Sequence, residues 1–178
     1  MKAYKIECKL PQGVTIRFSV LNGWGLFATR AVKKDDIVYT GTFIAVQKED
    51  FPKEIELVVE QNTYYLPSYN HITPFTDGRY AVYTFDSVMN HHCDPSTHDK
   101  AHQNDPFKYD VIAARKIEVG EELTCNYNTF KWINENPFDC SCGAPTCCGR
   151  VEGYSKLTQQ QKDFLRDLMG TSALMRKE

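Results

Sequence analysis

The sequence predicts a mainly β domain with few short helices, and three observations carry that prediction. Short stretches of alternating apolar and polar residues recur along residues 14–130. Gly, Asn, Asp and Pro residues punctuate them as turns. Towards the C-terminus a Cys- and Gly-rich stretch holds too few apolar residues for a core, and one helical stripe follows it.

Taken in order, residues 14–20 (Val-Thr-Ile-Arg-Phe-Ser-Val) alternate as a half-buried strand. Asn22-Gly23-Trp24-Gly25 breaks it, and Leu26 to Thr29 reads as a second strand. Lys33 to Asp36 is a polar turn, with strands at Ile37–Tyr39 and Phe43–Val46 around Gly41. Lys48 to Gln61 has a more helical pattern with Pro52 near its start, although Leu57-Val58-Val59 fits a strand equally well. Tyr64–Leu66 and Tyr80–Tyr83 read as strands around a Pro- and Gly-containing loop, and Phe85 to Met89 as one helical turn. Asp94 to Pro106 is polar and reads as loop; Tyr109 to Arg115 is an apolar strand. A turn at Val119-Gly120 leads into a strand at Glu122–Cys125. At the end, Leu157, Phe164, Leu165, Leu168 and Met169 form a helical stripe, and Thr158 followed by Gln161 reads as a capping box.

The 178 residues suffice for one domain with a substantial core, and 42% hydrophobic with 25% charged residues is the balance of a soluble globular protein. Lys plus Arg is 21 against 23 Asp plus Glu, a net charge of −2. That lacks the basic face of a direct nucleic-acid binder, and a mildly acidic surface favours encounter with a basic tail. The start, MKAYKIECKL, has no apolar segment followed by a small-residue cleavage site, so no signal peptide is expected. No run is long enough to span a bilayer. The expectation is an intracellular protein of nucleus or cytoplasm, without membrane contact; the sequence assigns no oligomeric state.

Seven cysteines are present, and four of them lie between Cys140 and Cys148. In a reducing compartment such clustering points to metal rather than disulfides. Cys140 and Cys142 sit close enough to ligate one ion from a tight loop, and Gly143 and Pro145 turn the chain to bring Cys147 back. A structural zinc takes four tetrahedral ligands, preferably thiolates, and its binding supplies folding free energy that this segment lacks. The fourth ligand is either the adjacent Cys148 or a distant residue. Adjacent cysteines strain to share one ion, which favours Cys93, in the polar stretch Asn90-His91-His92-Cys93-Asp94-Pro95. His98 and His102 are expected as surface histidines. A competing reading makes Cys93 a nucleophile activated by His91 or His92, which zinc ligation by Cys93 excludes.

Four segments, in order, resemble the SET-domain family. Gly23-Trp24-Gly25-Leu26-Phe27-Ala28-Thr29 is similar to its cofactor loop. Asn90-His91-His92-Cys93-Asp94-Pro95 resembles its Asn-His-x-Cys-x-Pro segment, and Gly120-Glu121-Glu122-Leu123-Thr124-Cys125-Asn126-Tyr127 its Gly-Glu-Glu-Leu-Thr-x-Asp-Tyr segment. Cys140-x-Cys142-x4-Cys147 resembles the post-SET zinc motif. The resemblance implies small β-sheets around a knot-like chain crossing made by the second and third segments. It divides the chain into a SET domain at 14–130, a post-SET zinc segment at 137–153 and a C-terminal helix at 155–170.

By the same resemblance the chain is a protein-lysine N-methyltransferase that uses S-adenosylmethionine on a protein substrate, with a histone tail among the candidates. The cofactor is expected at Gly23, Trp24, Gly25, Asn90 and His91, and zinc at Cys93, Cys140, Cys142 and Cys147. Tyr127 matches the catalytic tyrosine. Cys125 stands where the family has Phe or Tyr, a position that influences how many methyl groups are added; a small, weakly hydrogen-bonding side chain there leaves room for more than one. Asn126 replaces the usual Asp, and Cys148 stands where Arg is common. Tyr64, Tyr65, Tyr80 and Tyr83 are candidates to line the lysine channel by cation–π attraction. The alternative is a catalytically inactive SET-fold module that binds peptide.

Overall fold

The computed structural model describes residues 4–47, 54–67, 72–74 and 79–170. Fifteen short strands are formed there: β1 Tyr4–Cys8, β2 Val14–Phe18, β3 Trp24–Ala28, β4 Ile37–Thr42, β5 Ile44–Val46, β6 Glu54–Val59, β7 Asn62–Pro67, β8 Ile72–Pro74, β9 Tyr80–Val82, β10 Asn90–His91, β11 Thr97–Ala101, β12 Lys108–Ala113, β13 Glu122–Cys125, β14 Phe138–Asp139 and β15 Arg150–Val151. One helix, α1 Gln159–Met169, follows. The strands make five small sheets, in orders β1-β6-β7, β10-β13-β3-β2, β11-β12-β4, β14-β15 and β5-β9-β8.

One core joins four of these sheets, all but β14-β15. Leu26, Ile55, Leu57, Val82, Val111, Ile117 and Leu123 are fully buried in it. Their spacing is that of strands buried on one face: in β6, Ile55, Leu57 and Val59 point inward while Glu54, Glu56 and Val58 are more exposed. A second, smaller core packs Leu165 and Met169 of α1 against Tyr154 and Leu157, with Trp132, Cys148, Phe164 and Leu168 around them. Thr158 caps α1, accepting the Gln161 backbone N–H while the Gln161 side chain accepts that of Thr158, the capping box expected from sequence.

Three sequence expectations are corrected. The helical pattern over 48–61 gives way to β6 for 54–59, because period-2 burial of β-branched residues wins over helical spacing; 48–53 lie outside the described residues. The polar stretch 94–106 contains a strand, β11, paired antiparallel with β12. It is a strand without apolar alternation, held by side-chain to backbone bonds: the Thr97 hydroxyl donates to the Thr124 carbonyl (2.9 Å) and the Ser96 N–H to Thr124 Oγ1 (3.1 Å). That pairing carries His98 inward, so it is buried rather than on the surface, while His102 meets Asp110 at 3.2 Å. β1, unforeseen, pairs in parallel with β6 from Tyr4↔Ile55 to Cys8↔Val59.

Two distant segments meet at the centre. β10 and β13 run parallel, with Asn90 opposite Thr124 and His91 opposite Cys125. β13 continues antiparallel onto β3, setting Leu123 beside Leu26. The segments singled out from sequence at 23–29, 90–95 and 120–127 thereby share one sheet.

Candidate functional site

The first cluster of functional groups forms where β10 and β13 end. The Tyr127 backbone N–H donates to His91 Nδ1 (3.0 Å), and the Tyr127 hydroxyl donates to the Met89 carbonyl (2.6 Å). The two rings lie 5.4 Å apart, and Phe138 of β14 stands edge-on to both, 6.1 Å from each. Burial, with Cys125 and Glu122 nearby, pushes the Tyr127 phenol well above its usual range, so it is a neutral donor. Cys125 is buried, and desolvation with Asp99 and Asp86 nearby holds its thiol neutral.

His91 is fixed by the same bonds. Because Nδ1 accepts from Tyr127, the proton sits on Nε2, which faces Cys93 Sγ at 3.4 Å. Burial and the nearby His92 push this imidazole down to about 4. Desolvation drives the Cys93 thiol well up. A neutral histidine beside a buried thiol is not the ion pair that a cysteine nucleophile needs.

Beside that cluster the thiols converge. The ligand atoms of Cys93, Cys140, Cys142 and Cys147 lie within 4.8 Å of one another, a set able to hold a metal ion. A second set, His91, Cys93, Cys140 and Cys148, meets the same distance. The hydrogen bonds choose between them. To ligate through Nε2, His91 would have to shed its proton while Nδ1 accepts from Tyr127, leaving an imidazolate; the four-thiol set needs no such cost. His91 Nε2–H and the Cys148 backbone N–H (3.4 Å) then serve Cys93 Sγ as donors. His92 secures the loop by donating from Nε2 to the Cys142 carbonyl (3.1 Å). Asn126 ties the thiols to the tyrosine, donating to the Cys93 carbonyl (3.3 Å) and accepting from the Asn128 N–H (3.1 Å).

The loop before β3 makes a different cradle. Gly23 has φ of +52° and nothing within 4 Å of where a Cβ would stand, so its backbone is open to a ligand. Exposed Phe18, Val20 and Trp24 rim it, and Trp24 packs on Tyr64 at 5.2 Å. Gly25 is glycine for another reason: a Cβ there would collide with Glu122 and press on Ser19. Asn90 Nδ2 donates to the Trp24 carbonyl (3.0 Å) and to Glu122 Oε1 (2.8 Å), and the Ser19 hydroxyl lies 2.8 Å from both Glu122 oxygens. Asn90 therefore positions the loop with its side chain. Glu122 lies within the Gly-Glu-Glu-Leu-Thr segment marked from sequence but was assigned no role there, and Ser19, near a turn, carries no motif.

Of the four channel tyrosines named from sequence, Tyr64 packs under Trp24, Tyr65 is 64% exposed and Tyr80 is half-buried. Tyr83 belongs to an aromatic wall with Phe43 (4.9 Å), Tyr109 (5.5 Å) and Phe130 (6.3 Å), and Phe130 reaches Tyr127 (6.3 Å). Tyr39, Phe43, Tyr109, Phe130 and Phe138 were missed. Aromatic residues in strands look the same in sequence whether they wall a site or fill a core.

Comparison with known proteins adds the following. A family model described as the SET domain matches residues 23–128. A Gibberella zeae protein named histone-lysine N-methyltransferase, H3 lysine-36 specific, is 28% identical over 147 residues, 79% of this chain and 15% of that protein. A Candida albicans protein of the same name is 26% identical over 76% of this chain and 16% of its own length. A Plasmodium falciparum variant-silencing SET domain-containing protein is 27% identical over 70% of this chain and 5% of its own. The chain thus spans about a sixth or less of these relatives. A solved structure from Plasmodium falciparum, titled as a candidate histone methyltransferase, superposes with a TM-score of 0.51 at 16% identity, covering 66% of this chain and 95% of that one.

Proposed function

The chain belongs to the SET-domain family, and from that premise we propose that it is a protein-lysine N-methyltransferase. It transfers methyl groups from S-adenosylmethionine to a lysine of a protein substrate. The names of the relatives point to histone H3 as the first substrate to try. The observation that carries the reading is the junction of β10 and β13. There a neutral phenol is held on the Met89 carbonyl beside Cys125 and the aromatic wall, in the same sheet as β3, which follows the open backbone at Gly23.

S-adenosylmethionine, when bound, supplies an electrophilic sulfonium methyl. Gly23, Trp24 and Gly25 offer backbone for it, with Gly23 open and Asn90 and His91 behind; the exposed Phe18, Val20 and Trp24 suit its apolar parts. The rest of the work is to present a neutral amine in line. Desolvation by the aromatic wall lowers the pKa of an entering lysine. Tyr127 orients the amine from a position that two hydrogen bonds fix, and alignment of this kind contributes most of what a protein can add to a displacement. Small, thiol-bearing Cys125 leaves space for a methylated amine.

Zinc is the ion that suits Cys93, Cys140, Cys142 and Cys147, since four thiolates match its tetrahedral preference. Its role is structural: it folds 137–153 onto the domain at 14–130, with α1, which begins at Gln159 rather than at 155, packed behind. Phe138 is thereby laid over His91 and Tyr127. An intracellular setting, nuclear or cytoplasmic, accords with this chemistry and these relatives.

The test is methyl transfer from isotopically labelled S-adenosylmethionine to histones and lysate proteins, beside Tyr127→Phe. Label on lysine that the variant abolishes supports the reading. Absence of both transfer and cofactor binding favours the peptide-binding module instead.

A further inference from the structure

Asp86 lies in the turn Phe85–Val88, just before Met89. The Met89 N–H donates to the Asp86 carbonyl (2.9 Å), and the Met89 carbonyl receives the Tyr127 hydroxyl. Asp86 is therefore one turn from the phenol assigned to the reaction. Its carboxylate is buried. Oδ2 accepts the hydroxyls of Tyr39 (3.2 Å) and Tyr109. Oδ1 is buried and makes no hydrogen bond of ordinary geometry, although the backbone N–H groups of Thr84 and Asp86 lie near enough to favour the charged carboxylate.

That free oxygen is the anomaly. Buried polar atoms are nearly always paired, and a buried carboxylate with an idle oxygen is costly. Were the two tyrosine bonds its only role, an amide would accept them without burying charge. The surroundings suit an alkylammonium guest. Phe85 packs on Tyr39 (5.1 Å) and Phe43 on Tyr109 (4.5 Å), and the wall runs through Tyr83 and Phe130 to Tyr127. Cys8 of β1, Tyr39 of β4, Asp99 of β11, Tyr109 of β12 and Cys125 of β13 face the carboxylate from five strands, and none of these can supply a cation.

We infer that Asp86 is the proton acceptor for the target lysine, its free oxygen taking one proton from the substrate ammonium. The inference rests on the methyltransferase reading above. The proton moves from nitrogen to Asp86 Oδ1, leaving a neutral carboxyl and a neutral amine. The nitrogen lone pair then forms the N–C bond as the C–S bond breaks, and that electron pair stays on sulfur as a neutral thioether. The product leaves as a methylated ammonium, and Asp86 gives its proton to water once the substrate has left, which restores the carboxylate. Burial pushes Asp86 up to about 6 against its two phenol donors, so the group is ionised at neutral pH and more basic than an ordinary aspartate.

The experiment measures kcat and KM for the full chain with labelled S-adenosylmethionine and recombinant histone H3 from pH 5.5 to 10. Wild type should lose kcat below about pH 6. Asp86→Asn should lower kcat at pH 7 by about 100-fold or more, with the loss shrinking as pH rises and free amine appears. Its cofactor KM should hold and its melting temperature at pH 7 should not fall, because the variant buries no charge. Tyr109→Phe keeps the carboxylate but removes a donor to its charged form, so its acid limb should move to higher pH; it carries the test should D86N not fold. Wild-type kcat and profile in D86N, or an unmoved limb in Y109F, overturns the assignment to Asp86 alone. A wild type that labels neither histone H3 nor any lysate protein overturns the methyltransferase reading, and this inference with it.

Discussion

Among single residues, Cys125 and Tyr127 make the sharpest predictions. The Cys125 thiol is buried and neutral, and offers no strong hydrogen bond to hold a second group in place. The expected product is therefore lysine carrying more than one methyl, and Cys125→Tyr should restrict it to one; mass spectrometry after long reaction times reads both. Strict monomethylation by wild type would end that idea. Tyr127→Phe deletes the hydroxyl on the Met89 carbonyl while keeping the ring against His91 and Phe138. Methyl transfer should fall by about 100-fold or more with little change in cofactor affinity, as for a group that acts mainly on the reacting amine.

At the level of elements, the segment with β14 and β15 has little apolar anchorage beyond Val151, and the proposed thiol site is expected to hold it in place. Phe138 and Asp139 are exposed, and few residues there are buried. Cys140→Ser should remove the metal, which elemental analysis of wild type should find at about one zinc per chain. Because Phe138 then leaves His91 and Tyr127, methyl transfer should fall as well. The helix α1 has a separate vulnerability in its cap. Thr158→Ala loses both halves of the capping box and should cost about 1 kcal/mol, read by chemical denaturation. The stripe Leu157, Phe164, Leu165, Leu168 and Met169 was legible from helical spacing. The strand β11 was not, because its buried residues Thr97 and His98 are polar and their partners come from β13 and β12.

Across the whole molecule, buried Asp86 and half-buried Asp99 set the pH response. Desolvation pushes Asp99 up to about 7, with Asp86 adding to the effect, and Asp86 up to about 6. A carboxyl raised above its unfolded value contributes stability that is fully present below the unfolded pKa and lost as pH rises through the folded one. For this pair the loss runs from about pH 4 to just above 7. Asp99→Asn should therefore melt a few degrees higher than wild type at pH 8, where 1 kcal/mol is worth about 2–4 °C at this size. The gap should close near pH 4. Equal melting temperatures at pH 8 would show that the Asp99 carboxyl is hydrated after all.

By itself the sequence determined the fold class and the family. Alternating residues predict a mainly β chain, and spacing and strain single out the four thiols Cys93, Cys140, Cys142 and Cys147. The segments holding Asn90, His91, Cys125 and Tyr127 were marked as belonging together. These features are local: periodicity, turn chemistry and ligand spacing are written in consecutive residues. Only the tertiary structure decided what depends on distant neighbours. It spent the Asn90 amide on Trp24 and Glu122, and fixed the His91 tautomer through Tyr127. It sent Tyr65 to solvent and brought Tyr39 and Tyr109 onto Asp86. Those contacts join residues 23 to 66 positions apart, and no local pattern encodes which aromatic or acid will meet which.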